Sequence, residues 1–436
     1  MRREILRLAL PALGTLIAQP LFVLLDTAMV GHLGAPALAG LAVGSTLVNT
    51  VVGLMIFLAY ATTPLVARKL GAGDTKGAVQ AGVDSIWVAL AVGLAAALIT
   101  AAIATPFTQL MMRDSSAESP IFAVQYATIC ALGIPAMLFS MAATGLERGM
   151  QNTVTPLIIT VVGFAANAIL NAIFIYGFNL GVAGSAIGTV IAEYGMAVAF
   201  FVIIARRVTQ IQASWRPNLT GVRAAGISGG WLFLRTLSMR VGLLLVLAAA
   251  TIRGNEVTAA LQISTAIFGL FMLSLDALAI AAQALVGKEL GSGSEDNVRQ
   301  VMRYTLRWGA GFGAIIGTGL LLLSPVLGHV FTSDPRVLTL TPPALIILAL
   351  AQPVCGLVFV YDGILMGSGD SRYLALTSLI NLACFAPVSI SLLIWGANLP
   401  EITYISILLI ANYHLWMLSR LTTLSLRTRG SAWMGI

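Results

Sequence analysis

Charge is scarce in this chain. Asp, Glu, Lys and Arg together make up 9% of its 436 residues, against about 25% in a soluble domain, while apolar side chains make up 58%. So few ions cannot cover the surface of a water-soluble globule of this size. A soluble enzyme and a nucleic-acid-binding domain are both excluded, in spite of the formal net charge of +7. The excess of Lys and Arg has to be placed relative to a membrane before any partner is inferred from it.

Cysteine and histidine are rarer still. Cys130, Cys355 and Cys384 each stand alone in an apolar run, without the paired spacing that zinc, haem or a disulfide framework requires. His32, His329 and His414 fall near the ends of apolar runs and far apart. Acidic residues at membrane depth also stand singly, which excludes the clustered carboxylates of a magnesium-dependent intramembrane transferase and any His and acid constellation. No catalytic residue, no metal site and no cofactor is expected, and the chain is not read as an enzyme.

Long apolar stretches are abundant. Stretches of roughly 20 residues or more, the length that crosses a bilayer core, occupy about 7–30, 41–67, 79–105, 122–145, 154–177, 181–205, 228–252, 257–286, 306–330, 338–361, 373–396 and 402–421. The basic start, Met1-Arg2-Arg3, imitates a signal peptide, but the apolar run continues past residue 30 with no small-residue cleavage site, so it reads as an uncleaved first span. Pro11, Pro20, Pro64 and Pro135 lie inside spans and predict kinked helices, which neighbouring helices can satisfy.

Counting alternate faces, nineteen Lys and Arg, from Arg2 to Arg429 and including Arg148, Arg207 and Arg420, fall on one side; only Arg113, Arg253 and Arg336 fall on the other. Cationic loops stay in the cytoplasm, so both termini are expected there, among anionic lipid headgroups. That orientation requires an even number of spans.

The sequence also repeats itself. LVARKLGAG (65–73) matches LVGKELGSG (285–293) at an offset of 220 residues, GLERG (145–149) matches GILMG (363–367) at 218, and Pro135 falls on Pro353. One repeat holds six spans, so both copies point the same way through the membrane. The expected fold is an all-α integral membrane protein of twelve transmembrane helices in two six-helix lobes related by a pseudo-two-fold axis along the membrane normal. The lobes are placed at 1–205 and 228–436, with a basic cytoplasmic linker at 206–227.

Five pieces in order, LLDTAMVGHLG (24–34), RKLGAG (68–73), NAILN (167–171), GTVIAEY (188–194) and YDGILMGSGD (361–370), resemble the DinF-like branch of the multidrug-and-toxic-compound-extrusion (MATE) transporters. The resemblance runs along essentially the whole chain. It implies alternating access between two lobes and export of amphipathic, often cationic drugs in exchange for protons or sodium. It further implies a bacterial cytoplasmic (inner) membrane protein that works among membrane lipids, read here as a monomer.

Ionisable groups at membrane depth are costly and therefore functional candidates. Asp26 lies in the outer half of the first span, and Asn167 and Asn171 share one face of the fifth. Depth counting brings Thr189 of the sixth span level with them, so the four are expected to form one polar pocket for the coupling ion. Glu193, one turn from Thr189, is a proton-relay candidate, with pairing to a polar neighbour the favoured alternative. In the resembling family the position of Asn171 is commonly Asp; this chain lacks that second carboxylate, which weakens the sodium reading and favours H+.

In the second half, Arg235 and Asp276 agree in depth and are expected to pair, with substrate contact as the alternative. Arg240 lies about 140° around the helix from Arg235. Asp362 is read equally as a gate residue and as a ligand. Met29, Met55, Met137, Met141 and Phe174 are candidates for a cavity lining that adapts to varied shapes. A flippase for lipid-linked precursors of the same superfamily is the alternative function. It predicts a larger basic set for phosphate than two arginines on one helix.

Overall fold

The computed structural model describes residues 2–113 and 118–435. Among these residues the chain is helical and holds no β-strand, as expected where lipid offers the backbone no hydrogen-bond partner. Twelve spans follow in order. They are α1 (Arg2–Gly31), α2 (Ala35–Gly71), α3 (Thr75–Met111), α4 (Glu118–Ala131 and Ile134–Gly149, bent by 49°), α5 (Val154–Gly177) and α6 (Gly181–Ile211), then α7 (Leu219–Arg253), α8 (Asn255–Gly291), α9 (Glu295–Phe331), α10 (Pro335–Gly367), α11 (Ser371–Asn398) and α12 (Glu401–Arg429). The bend in α4 lies at the Gly133 and Pro135 break, where a prolyl ring cannot continue the hydrogen-bond ladder.

Several helices overrun the apolar stretches. α3, α8 and α9 each hold 37 residues, roughly 55 Å of helix against a hydrocarbon core of about 30 Å. Leu98, Leu322 and Val330 are more than 70% exposed, which is tolerable only where lipid covers them.

The repeated motifs have a physical cause. In LVARKLGAG and LVGKELGSG, Gly73 and Gly293 take φ of +79° and +73°, a region open to glycine at little cost. Each reverses the chain before the side chain of Asp74 or Ser294 caps the following helix. In GLERG and GILMG the glycines let backbones touch. A Cβ on Gly145 would lie 2.7 Å from the Ala59 carbonyl and one on Gly149 2.8 Å from that of Thr63. Gly363 and Gly367 abut Ala279 and Gln283 in the same way, as in small-residue packing between membrane helices. A third repeated device closes the ends: Arg207 pairs with Glu147 at 2.9 Å, and Arg427 with Asp370 at 2.7 Å.

The chain forms two compact units, one of residues 10–229 and one of residues 2–9 with 230–435. The expected linker at 206–227 is mostly helix: α6 runs to Ile211 and α7 starts at Leu219. The short connection between them is gripped by α3. Asp84 accepts from the Asn218 amide at 2.9 Å, and Trp87 Nε1 donates to the Trp215 carbonyl at 2.9 Å. Asp84, which hydropathy places at the membrane interface, is buried.

Candidate functional site

The unit of residues 10–229 holds a cavity of about 250 Å³ walled by α1, α2, α4, α5 and α6. Its lining is aromatic and thioether-rich, with Phe22, Tyr60, Phe164, Met137, Met141 and Met196. Met29 and Phe174 are placed elsewhere: Met29 packs on the apolar core and Phe174 stacks on Phe178.

Asp26 lines this cavity and is otherwise buried. Its Oδ1 accepts two hydrogen bonds, from Asn171 Nδ2 at 2.9 Å and from Ser185 Oγ at 2.6 Å. Thr27 takes no part, because its hydroxyl donates back to the Val23 carbonyl at 2.7 Å. Asn171 reaches Asp26 because Gly188 leaves room: a Cβ there would collide with Asn171 Oδ1. That amide oxygen is buried without a partner, as is Asn167 Oδ1 one turn away. Thr189 lines the cavity beside the Tyr126 hydroxyl, without a hydrogen bond of ordinary geometry to Oγ1.

Depth counting therefore brings Asp26, Asn171 and Thr189 to one place, while Asn167 is buried off the cavity lining. Ser185 is the residue sequence reasoning overlooked. Its signal is present, since Ser185, Thr189 and Glu193 recur at four-residue spacing on α6 and thus share one face. Glu193 lines the cavity too, but the expected pairing is absent: it has neither a hydrogen bond nor an ion pair among the described residues.

The other unit departs further from expectation. Arg235 pairs with Asp362 on α10, at 3.0 Å, a partner other than the Asp276 expected from depth. Asp362 is held from its other side by Arg420 of α12. Depth along two helices constrains their axial register but not their facing sides, so depth alone does not single out Asp362 for Arg235. Arg420, which hydropathy assigns to the loop side of the last span, is buried in this triad. Asp362 is thus neither an exposed gate nor a free ligand. Arg240 is exposed and takes no part, as its position around α7 requires.

The family follows from comparison with known proteins. The MatE family model matches residues 11–173 and 233–393, one match in each half of the chain. The chain belongs to the MatE family. It is 31% identical over 389 residues to Protein DETOXIFICATION 44, chloroplastic, of Arabidopsis thaliana, spanning 86% of this chain and 74% of that one. It is 27% identical over 404 residues to DNA damage-inducible protein F of Escherichia coli, spanning 90% and 86%. The solved Vibrio cholerae MATE transporter VcmN in its bent form superposes with a TM-score of 0.84 at 22% identity, over 98% of each chain. As a MATE transporter the chain is a multi-pass membrane protein handling small molecules, and the matched family consists of transporters, not enzymes.

Proposed function

We propose that this MATE transporter is a secondary active efflux antiporter that exports amphipathic, cationic drugs in exchange for protons, with Asp26 as the proton-carrying group. The observation that carries the reading is the Asp26 carboxylate at the wall of a Met-lined and aromatic cavity, with both of its hydrogen bonds made to groups that can reverse their roles. An ionised Asp26 only accepts; a protonated one must also donate. A Ser hydroxyl rotates from donor to acceptor, and a flipped Asn amide presents oxygen where it presented nitrogen. Asn171 Oδ1 is an acceptor left over for that purpose. Protonation therefore exchanges one satisfied arrangement for another, and Pro20, one and a half turns earlier in α1, offers the helix a place to bend.

Protons are favoured over sodium because the Asn171 and Ser185 donors already face Asp26 Oδ1, where a sodium ion needs oxygen acceptors, and because a neutral amide, Asn171, stands where the resemblance implies a second acid. A flippase would need guanidinium groups free for phosphate, whereas Arg235 and Arg420 are both held by Asp362. The cationic loops support an orientation with both termini in the cytoplasm of a bacterial cell, in its inner membrane, and we take the monomer as the working unit.

The test is transport of tetraphenylphosphonium in proteoliposomes under proton and sodium gradients imposed separately. Uptake against its own gradient under the proton gradient is expected. Transport driven by neither ion would overturn the reading.

A further inference from the structure

We propose that Glu193 is the counter-ion for the positive group of the substrate, so that the carboxylate that binds the drug is distinct from Asp26, which carries the proton. The inference rests on reading this cavity as the drug site. Two carboxylates line the cavity, and they are treated differently. Asp26 spends its Oδ1 on Asn171 and Ser185. Glu193 is answered by no hydrogen bond and no ion pair among the described residues, although an unpaired carboxylate within a membrane protein is costly. A group left in that condition at the wall of a cavity is explained by a ligand that completes it.

The placement fits an amphipathic cation. Ser185, Thr189 and Glu193 line one face of α6 at four-residue spacing, so Glu193 lies about 12 Å along the helix from the residue that holds Asp26. A single small cation cannot bridge that gap, but a charged head at Glu193 leaves the rest of a drug-sized molecule among the aromatic and thioether side chains. Against Glu193 the α4 wall offers Cys130, and Met196 follows on α6, soft groups that carry no charge. Cation–π attraction from Tyr126 and Phe200, which also line the cavity, adds to the same preference. Among the described residues, the one guanidinium that lines the cavity, Arg148, stands eighteen residues further along the bent α4 than Cys130, which faces Glu193.

Binding of tetraphenylphosphonium and of neutral triphenylphosphine oxide to the purified full-length protein, at one pH and without a gradient, tests the inference separately from coupling. Glu193→Gln is expected to weaken the cation by about tenfold or more and the neutral probe by no more than about twofold. Glu193→Asp should retain the preference for the cation. Asp26→Asn should still bind the cation more tightly than Glu193→Gln does. Parental cation affinity in Glu193→Gln would overturn the proposal, as would equal losses for both probes in Glu193→Gln and Glu193→Asp, which indicate a structural role. Failure of gradient-driven transport with these binding results intact would count against the antiport reading alone.

Discussion

Asn171 and Asp26, 145 positions apart in the chain, meet at 2.9 Å with the amide as donor, on the floor that Gly188 clears for them. The contact ties α5 to α1 at the depth of the cavity, so any change in Asp26 is felt by a second helix. The amide gives Asp26 a neutral partner whose donor and acceptor ends exchange by a rotation.

Gly188→Ala is therefore expected to disable transport through Asn171. The added Cβ displaces the amide, and the loss of gradient-driven efflux should be about tenfold, a little over 1 kcal/mol in coupling. In an Asn171→Ala background the same change should have little further effect. Additive losses in the double variant, measured by tetraphenylphosphonium uptake, would show that Gly188 acts elsewhere.

The Arg235, Asp362 and Arg420 triad carries one charge more than it cancels, and this makes its variants unequal. Asp362→Asn strands two guanidinium groups in a low-dielectric interior and should cost about 3 to 5 kcal/mol by analogy with broken buried pairs in soluble proteins. Arg235→Gln leaves a balanced pair with Arg420 and should cost far less, about 1 kcal/mol. Thermal melting in detergent distinguishes the two. Equal losses would mean that Arg235 is held by more than Asp362.

Gly363 and Gly269 provide a packing comparison within one helical unit. A Cβ on Gly363 meets the Ala279 backbone, while one on Gly269 meets nothing within 4 Å. Gly363→Ala should lower the melting temperature and the yield of folded protein, and Gly269→Ala should leave both unchanged. Similar behaviour of the two variants would rule out close helix contact as the reason for the repeated glycine motif.

Much of this was legible in the residues, for reasons that differ between sites. Apolar length predicts twelve spans because lipid imposes it, and four-residue spacing with depth counting leads to Asp26, Asn171 and Thr189. Ser185 escaped because a helical hydroxyl ordinarily bonds its own backbone, as Thr27 does here. Arg420 escaped because α12 continues as helix to Arg429 after a wide turn at Ile410–Leu415, which alters the face that later residues present. Asp362 escaped as the partner of Arg235 because depth says nothing of azimuth.

If Asp26 carries the coupling proton, Asp26→Asn must separate drug binding from drug accumulation. Asparagine keeps the size and an acceptor oxygen for Ser185 but cannot exchange a proton. Reconstituted into proteoliposomes under an imposed proton gradient, the variant is expected to bind tetraphenylphosphonium yet fail to concentrate it, while the parent concentrates it. Accumulation by Asp26→Asn at a rate near that of the parent would contradict the account and move the coupling site away from Asp26.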